Sequence, residues 1–312
     1  MEWYWIVLIV AAALLLMLFG AAYYMFLLAF GANRGQIAKV FRDREQDPAP
    51  LVRMRYRTKE YFDALPFDAL TMTASDGVRL AARFYPNGET KQVAIICHGW
   101  HSYPWWDFGK AFDIVYDAGY AVLAVYQRAQ GESEGKYLTY GAKESDDLLG
   151  WIDLLLKRYG EDLSIAIMGV SMGAATVLCA TGKPLPEQVK CAVSDCAFTS
   201  AKEQFKAASK GRFPVLRTIS TPFVHALAKI RYCDAAPIEA VTRSHTPTLF
   251  IHGDADDFVP FSMMRRLYDA CAAKDKALWA SPGAVHAEAA MQNPDEYAAH
   301  VLPWLKDHLS DR

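Results

Sequence analysis

Short apolar runs alternate with helical patterns of apolar and polar residues along most of the chain, from about Ala94 onward. This alternation is typical of right-handed crossovers that build a mostly parallel β-sheet with helices on both faces. An earlier pair of segments, 68–74 and 78–85, flanks the turn Ser75-Asp76-Gly77 and predicts a hairpin. The apolar runs that we expect to be buried strands are 93–97, 165–168, 191–194, 248–251 and 277–279.

The N-terminal segment has a different pattern, because no charged residue occurs from Trp3 to Asn33. As a helix rising about 1.5 Å per residue, it exceeds the roughly 30 Å hydrocarbon core of a bilayer. A cleaved signal peptide is the alternative, but it would need a basic start and a shorter apolar core. We therefore expect residues 1–33 to be a retained membrane anchor. Aromatic residues that resemble interfacial belts lie at its two ends: Trp3, Tyr4 and Trp5, then Tyr23, Tyr24 and Phe30.

Basic residues near this anchor predict its orientation. By the positive-inside rule, the chain after the anchor lies in the cytoplasm and Met1 lies outside. We interpret residues 34–66, which include Pro48 and Pro50 among many charges, as a juxtamembrane linker, and residues 67–312 as the folded domain. The first basic residues all follow the apolar segment: Arg34, Lys39, Arg42, Arg44, Arg53, Arg55 and Arg57.

Composition agrees with one globular domain. Of the 312 residues, 53% are hydrophobic and 22% are charged, which is enough apolar material for a sizeable core. The net charge of −2 gives no indication of nucleic acid binding. Six cysteines show no C-x-x-C or metal-binding spacing, which favours free buried thiols in a reducing compartment. No cofactor or metal is implied, and the oligomeric state stays open.

The run 169–173 has the sequence Gly-Val-Ser-Met-Gly, which fits G-x-S-x-G and directly follows a predicted strand. If the small and apolar residues from Met172 onward form a helix ending near Gly182, Ser171 lies on a sharp strand-to-helix turn. The two glycines fit a turn with no room for a Cβ atom. Ser171 is therefore a candidate nucleophile, although the motif also occurs in ordinary loops.

A serine hydroxyl needs a general base, and the base needs a carboxylate that orients it. The loop after the strand 248–251 offers Asp254, Asp256 and Asp257, and the loop after the strand 277–279 offers His286. The order serine, aspartate, histidine is that of α/β-hydrolases and differs from the orders in chymotrypsin and subtilisin.

With these motifs the chain resembles serine hydrolases of the α/β-hydrolase superfamily, and it is similar to bacterial membrane-anchored hydrolases of the lysophospholipase and serine-aminopeptidase-like group. The resemblance covers roughly residues 68–308. It implies an α/β-hydrolase fold, with a mostly parallel central sheet flanked by helices. The group's motif H-G-x-x-D-x-x-V-P selects Asp256 as the acid. Asp254 and Asp257 then cap the following turn or helix, and replacement of Asp256 by one of them is the alternative.

The resemblance also assigns an oxyanion hole. In the family, an H-G-x turn supplies one backbone N–H and the residue after the nucleophile supplies the other, which places them on Trp100 and Met172. The family's loop D-x-R-x-H-G-x-S-x-G is matched in part by residues 126–135, where Tyr126 replaces aspartate and Gln130 replaces histidine. These departures lie outside the expected triad and leave the reaction class intact. Substrate contacts known in relatives are not transferred to this chain. Polar residues interpreted as structural hydrogen-bond partners are His98, Glu144, Asp147, Asp195 and His252.

The segment from about 198 to 243 interrupts the alternation of strands and helices. Inserted amphipathic helices would form a small cap over Ser171; an ordinary crossover is the alternative, although the segment is longer than a crossover needs. Its apolar residues are Phe205, Phe213, Val215, Leu216, Ile219, Phe223, Leu227 and Ile230. Aromatic residues that either line an acyl pocket or belong to the core follow the H-G-x turn: Trp100, Tyr103, Trp105, Trp106 and Phe108.

Together these patterns predict a membrane-anchored serine hydrolase that forms an acyl-enzyme. Ser171 attacks a carbonyl, His286 acts as general base and then general acid, and Asp256 orients His286. The anchor favours an amphiphilic carboxylic ester, such as a lysophospholipid or acylglycerol, because such substrates concentrate at the bilayer. Peptide-bond hydrolysis is the alternative reaction. A non-catalytic scaffold is the alternative of another class, although no residue of the expected triad is missing.

Overall fold

The computed structural model describes residues 2–32 and 59–310 of the chain. The strands are β1 Asp68–Thr73, β2 Arg79–Tyr85, β3 Gln92–Cys97, β4 Ala121–Tyr126, β5 Ser164–Val170, β6 Val189–Asp195, β7 Thr248–Gly253 and β8 Lys276–Ser281. The helices are α1 Trp3–Phe30, α2 59–64, α3 Pro104–Asp107, α4 Lys110–Asp117, α5 Glu144–Tyr159, α6 Met172–Thr181, α7 Ala201–Ala208, α8 Pro214–Phe223, α9 Pro237–Val241, α10 Ser262–Ala270, α11 Ala289–Gln292 and α12 Pro294–Leu309.

The eight strands form one sheet in the order β1-β2-β4-β3-β5-β6-β7-β8. β1 and β2 form the predicted hairpin, in which the Ala74 amide donates to the Val78 carbonyl at 2.8 Å. β2 pairs antiparallel with β4, and the remaining neighbours are all parallel. The predicted mostly parallel sheet is therefore confirmed. Its parallel strands end at one edge, where open α/β sheets place their ligand sites.

The central strands are buried on both faces because helices cover both sides of the sheet. Along β3, Ala94 and Ile96 belong to a core cluster that includes α4 and α12, whereas Val93 and Ile95 belong to a second cluster that includes α5. Successive side chains of a strand point to opposite faces, so a strand between two helical layers must be apolar throughout. This explains the continuous apolar runs in the sequence.

Between β6 and β7 the chain leaves the sheet and forms α7, α8, a π-helix at Val224–Ala228, a 3₁₀-helix at Tyr232–Asp234 and α9. Ser200 caps α7 by accepting a hydrogen bond from the Glu203 amide at 3.2 Å. Apolar side chains of these helices form a core cluster with Met172 and with the end of α1. The inserted helices are thus the predicted small cap, and we call them the cap below.

Among the described residues, α1 is the one helix long and apolar enough to cross a membrane, with a mean hydropathy of 2.7. Its first five turns are almost entirely exposed, but Ala22, Phe26 and Phe30 are buried against the folded domain. The expectation that Phe30 belongs to an interfacial aromatic belt is therefore wrong. Its ring packs instead against Tyr140 and Phe205, at centroid distances of 5.1 and 5.5 Å.

The predicted linker at 34–66 differs from the structure in its last part. Residues 59–64 form α2, and the fully buried Phe62 packs against Tyr85 and Phe112 in the core of the folded domain. An apolar ring at this position adds to the core, so the folded domain begins earlier than expected. The basic residues that predict the orientation of the anchor lie outside the described residues: Arg34, Lys39, Arg42, Arg44, Arg53, Arg55 and Arg57.

All six cysteines are free. Five are buried, as expected, but Cys233 in the cap is exposed. The prediction of buried thiols is therefore wrong for Cys233, because the 3₁₀-helix that carries it lies on the outer surface of the cap.

Candidate active site

Ser171 lies on a strained turn between β5 and α6. Its backbone has φ 54° and ψ −115°, a region that L-residues rarely adopt. A Cβ atom on Gly169 would overlap the Gly173 carbonyl, and one on Gly173 would overlap the Cys97 carbonyl. The two glycines of the motif are thus required by close backbone contacts. The turn places the hydroxyl of Ser171 at the carboxyl edge of the sheet.

The structure brings Ser171, His286 and Asp256 into one hydrogen-bond chain. The Ser171 hydroxyl donates to Nε2 of His286 at 2.8 Å, and Nδ1 of His286 donates to Oδ2 of Asp256 at 2.7 Å. Three separate loops, after β5, β7 and β8, supply these side chains. In a Ser-His-Asp triad, the base lies within reach of the nucleophile's proton and the carboxylate lies behind the base, and these three side chains have that arrangement.

The Asp256 carboxylate is held by more than His286. Its Oδ1 accepts hydrogen bonds from the Phe258 and Val259 amides at 2.9 and 2.8 Å, and its Oδ2 lies 3.1 Å from Nε2 of His252. Burial by itself would raise the pKa of Asp256, but the hydrogen bonds from His252 and His286 lower it well below the usual range. Asp256 is therefore ionised at neutral pH.

The two neighbouring aspartates, Asp254 and Asp257, take no part in the hydrogen bonds between Ser171, His286 and Asp256. Asp254 is exposed, and its Oδ1 accepts a hydrogen bond from the Gly283 amide at 2.7 Å, which ties the loop after β7 to the loop that carries His286. Asp257 is exposed. Of the three candidates, only Asp256 contacts His286.

The candidate oxyanion donors lie beside Ser171. Met172 is the first residue of α6, where a helix leaves its backbone N–H groups without intrahelical acceptors. Hydrogen bonds to the Asp107 carboxylate fix the loop that carries Trp100. This carboxylate accepts from the Gly99 amide at 2.5 Å and from the Ser102 hydroxyl at 2.6 Å. A rigid loop here would hold the Trp100 amide ready for a developing negative charge.

Gln130, which replaces the histidine of the expected D-x-R-x-H-G-x-S-x-G motif, also supports this loop. Its buried side chain accepts a hydrogen bond from the Ser102 amide at 3.1 Å. Tyr126 stands where the family has aspartate, and its ring packs tightly against Gly131. His98 accepts from the Gln127 amide at 3.2 Å, and burial lowers its pKa to about 4, so it is neutral and structural as expected.

The interpretation of Glu144 and Asp147 as structural partners is confirmed. Glu144 accepts hydrogen bonds from the Thr139 and Gly141 amides at 2.6 and 2.9 Å. Asp147 accepts two hydrogen bonds from the buried Arg128 guanidinium, both at 2.7 Å. These contacts fix the loop before α5 to the first turn of that helix, and they tie the helix to the loop after β4.

Asp195 differs from that interpretation. It is fully buried at the end of β6, its Oδ1 has no hydrogen-bond partner among the described residues, and burial raises its pKa to about 6. It lies close enough to Asp256 and His286 to interact electrostatically with both. A buried carboxyl that leaves one oxygen without a hydrogen bond, beside a candidate triad, is a functional signal that the sequence does not contain.

Cys196, Asp256 and His286 offer three metal-ligand atoms within 4.8 Å of one another. The two ring nitrogens of His286 are already engaged by Ser171 and Asp256. Burial raises the pKa of the Cys196 thiol well above its ordinary value, which disfavours the thiolate that a metal ion needs. The donor set therefore suits hydrogen bonding better than a cation.

A cavity of about 390 Å³ opens onto Ser171. Of the aromatic residues after the H-G-x turn, Trp100 lines this cavity, whereas Trp105, Trp106 and Phe108 belong to the buried core. Among the described residues, the charged ones that line it are Arg212 and Arg217 of the cap. The remaining walls come from the cap, from Tyr140, Met172 and Phe258 and, unexpectedly, from the end of α1: Met25, Phe26, Leu28, Ala29 and Phe30.

The fold and this site define a serine hydrolase of the α/β-hydrolase superfamily, as expected from the sequence motifs. Within that superfamily, the chain belongs to the prolyl oligopeptidase family, whose model matches residues 106–312. The matched part includes the turn that carries Ser171, the cap and the loops that carry Asp256 and His286.

Two curated relatives cover most of the chain. An uncharacterized Bacillus subtilis protein, YqkD, is 28% identical over 256 residues, which are 81% of this chain and 83% of YqkD. An uncharacterized membrane protein of Saccharomyces cerevisiae, YNL320W, is 25% identical over 232 residues, which are 73% of this chain and 76% of that protein.

Solved structures share the fold. The Pyrococcus furiosus esterase Pf2001 is 24% identical, with a TM-score of 0.66 and coverage of 79% of this chain and 93% of the esterase. The acylaminoacyl peptidase of Pyrococcus horikoshii is 15% identical, with a TM-score of 0.60 and coverage of 81% of this chain and 43% of the peptidase. Esterases and peptidases thus both occur among the structural neighbours.

Proposed function

We propose that the protein hydrolyses carboxylic esters with long apolar acyl groups, through an acyl-enzyme on Ser171. The observation that carries this proposal is the cavity of about 390 Å³ that opens onto Ser171 and is lined mostly by apolar side chains. A cavity of this kind binds an alkyl chain by removing its surface from water, at about 0.8 kcal/mol per buried methylene group.

The proposed reaction begins when Ser171 attacks the ester carbonyl while its proton moves to Nε2 of His286. The backbone amides of Trp100 and Met172 donate to the oxyanion of the tetrahedral intermediate. The intermediate collapses as His286 donates the proton to the leaving alkoxide. A water molecule, deprotonated by His286, then releases the acyl group as a carboxylate. Asp256 keeps the imidazole in the required tautomer and stabilises the imidazolium at both steps.

The charges of the cavity favour an ester that also carries an anionic group. Its lining includes Arg212 and Arg217 but, within the described part of the chain, no carboxylate. A peptide with a free amino terminus would find no acidic partner, whereas a phosphate would find two guanidinium groups. A lysophospholipid with an anionic head group therefore fits the cavity better than a neutral acylglycerol.

Peptide-bond hydrolysis is the second candidate, and the match to the prolyl oligopeptidase family favours it. One structural neighbour is an acylaminoacyl peptidase. A blocked peptide with an apolar acyl group would have no amino terminus to neutralise. The same Ser171 chemistry would then act on an amide.

We also propose that α1 anchors the protein in a membrane, with the folded domain on the cytoplasmic side. Its length and composition support a spanning helix, and the yeast relative is described as a membrane protein. The basic residues after α1 support the cytoplasmic side by the positive-inside rule.

The test compares matched substrates on purified full-length protein in nanodiscs, with Ser171→Ala as control. The substrates are p-nitrophenyl esters of increasing chain length, lysophospholipids and the corresponding N-acyl aminoacyl anilides. The proposal predicts kcat/KM highest for long-chain esters and no turnover by Ser171→Ala. Higher kcat/KM on the anilides than on the esters with the same acyl group would refute the ester proposal in favour of the peptidase.

A further inference from the structure

α1 is longer than a membrane crossing requires. Its 28 residues extend about 42 Å at 1.5 Å per residue, against a hydrocarbon core of roughly 30 Å. Burial follows this division. The side chains of residues 3–21 are exposed, except for the half-buried Leu18, and burial against the folded domain begins at Ala22. The last two turns of α1 therefore belong to the folded domain.

Hydrogen bonds fix these two turns to the loops around Ser171. The Ala29 carbonyl accepts from the indole N–H of Trp100 at 2.8 Å and from the Tyr140 hydroxyl at 2.7 Å. The Leu138 amide donates to the Phe30 carbonyl at 2.7 Å. Carbonyls in the last turn of a helix have no intrahelical partner, so these donors satisfy groups that would otherwise face an apolar environment. The residue whose amide is a candidate oxyanion donor is thus joined directly to α1.

Aromatic packing adds to this attachment. Phe26 packs against Tyr137 and Phe223, at centroid distances of 5.2 and 6.3 Å, and Tyr23 packs against Phe223 at 5.2 Å. These contacts hold the edge of α1 that carries Phe26 and Phe30. The adjacent edge carries Met25 and Ala29 and forms a wall of the cavity.

We propose that the end of α1 is part of the substrate-binding pocket, and that Met25 is a specificity-determining residue for the acyl chain. The wall comes from the same helix that crosses the bilayer, so an acyl chain passes along α1 from the lipid into the cavity. The opposite wall, with Phe205 and Phe213, comes from the cap. This proposal rests on the proposed function, because it requires the cavity to hold an acyl chain attached at Ser171.

The test measures second-order labelling rates of the full-length protein in nanodiscs by alkyl fluorophosphonates with chains of four, eight, twelve and sixteen carbons. Labelling requires an activated serine but no particular leaving group, so it is independent of the choice between ester and amide. Two variants change the wall in opposite directions: Met25→Trp narrows the cavity, and Met25→Ala widens it. Tyr24→Trp is the matched control, because Tyr24 is 60% exposed and does not line the cavity.

We expect Met25→Trp to slow labelling by the two longest probes about tenfold or more, on the scale of a methylene misfit in an apolar pocket, and to leave the four-carbon probe unchanged. Met25→Ala should speed the longest probe relative to the shortest, and Tyr24→Trp should keep the parent's profile. Opposite shifts at one position cannot result from misfolding. An unchanged chain-length profile in both Met25 variants, with Ser171 still labelled, would overturn this proposal while leaving the serine hydrolase intact. No labelling of the parent by any probe would instead refute the proposed function.

Discussion

Asp256→Asn tests which carboxylate supports the proposed base. In the structure, Oδ2 of Asp256 lies 2.7 Å from Nδ1 of His286. At this distance and an effective dielectric constant of about 20, the attraction between a carboxylate and the imidazolium formed during attack is about 6 kcal/mol. Asparagine removes this attraction and can present an N–H that favours the wrong tautomer. The expected loss of kcat is about 10⁴-fold, the scale observed when a triad aspartate becomes asparagine.

The assay is steady-state hydrolysis of p-nitrophenyl butyrate, whose short acyl group makes few demands on the cavity. Asp254→Asn and Asp257→Asn are matched controls, because both side chains are exposed and neither contacts His286. Both should keep kcat within about threefold, because both substitutions are on the surface and the asparagine at 254 can still accept the hydrogen bond from the Gly283 amide. Retention of kcat by Asp256→Asn, together with its loss in Asp195→Asn, would refute the reasoning and move the acid to the end of β6.

Three further predictions follow from individual contacts. Trp100→Phe removes the indole donor to the Ala29 carbonyl but keeps the backbone amide. For a short ester, kcat should fall about two- to tenfold, the scale of one hydrogen bond, while KM stays nearly unchanged. An unchanged kcat would show that this hydrogen bond does not position the Trp100 amide. Burial raises the pKa of Asp195 to about 6 in the folded protein. The parent therefore loses folding stability as the pH rises and this carboxyl ionises, whereas an asparagine at 195 cannot ionise. Between pH 4 and pH 8, the free energy of unfolding of Asp195→Asn should therefore rise relative to that of the parent by about 2 kcal/mol in urea unfolding, and an equal difference at both pH values would exclude this. Arg217→Gln should lower kcat/KM about tenfold for an anionic lysophospholipid but leave a neutral monoacylglycerol unchanged, and equal losses on both would show that Arg217 is only structural.

The sequence was sufficient to predict the sheet and the chemical groups at its carboxyl edge. Apolar runs located the strands. The turn 169–173 is recognisable in the sequence because its neighbouring backbone leaves no room for a Cβ atom at Gly169 or Gly173. The order of Ser171, Asp256 and His286 then restricted the fold, and the structure places all three side chains within hydrogen-bonding distance. Local patterns and motif spacing carry this kind of information.

The composition of the pocket was not predictable from these patterns. Contacts such as those of Ala29 with Trp100 and Tyr140 join residues more than 70 positions apart, and no local pattern encodes them. Met25 and Phe30 read as membrane-facing residues because an apolar helix looks the same whether lipid or protein covers it. The excess length of α1 over a bilayer was the available signal. The raised pKa of Asp195 and its unpartnered Oδ1 likewise depend on tertiary burial, which no local pattern encodes.

The central claim is that Ser171 is an activated nucleophile, and covalent labelling tests it most directly. Full-length protein in nanodiscs would be treated with a fluorophosphonate and its intact mass measured, beside Ser171→Ala and His286→Ala. We expect one adduct on the parent, none on Ser171→Ala and a labelling rate lowered by at least about 10³-fold in His286→Ala. A folded parent that gains no adduct, or an adduct that persists in Ser171→Ala, would contradict this claim.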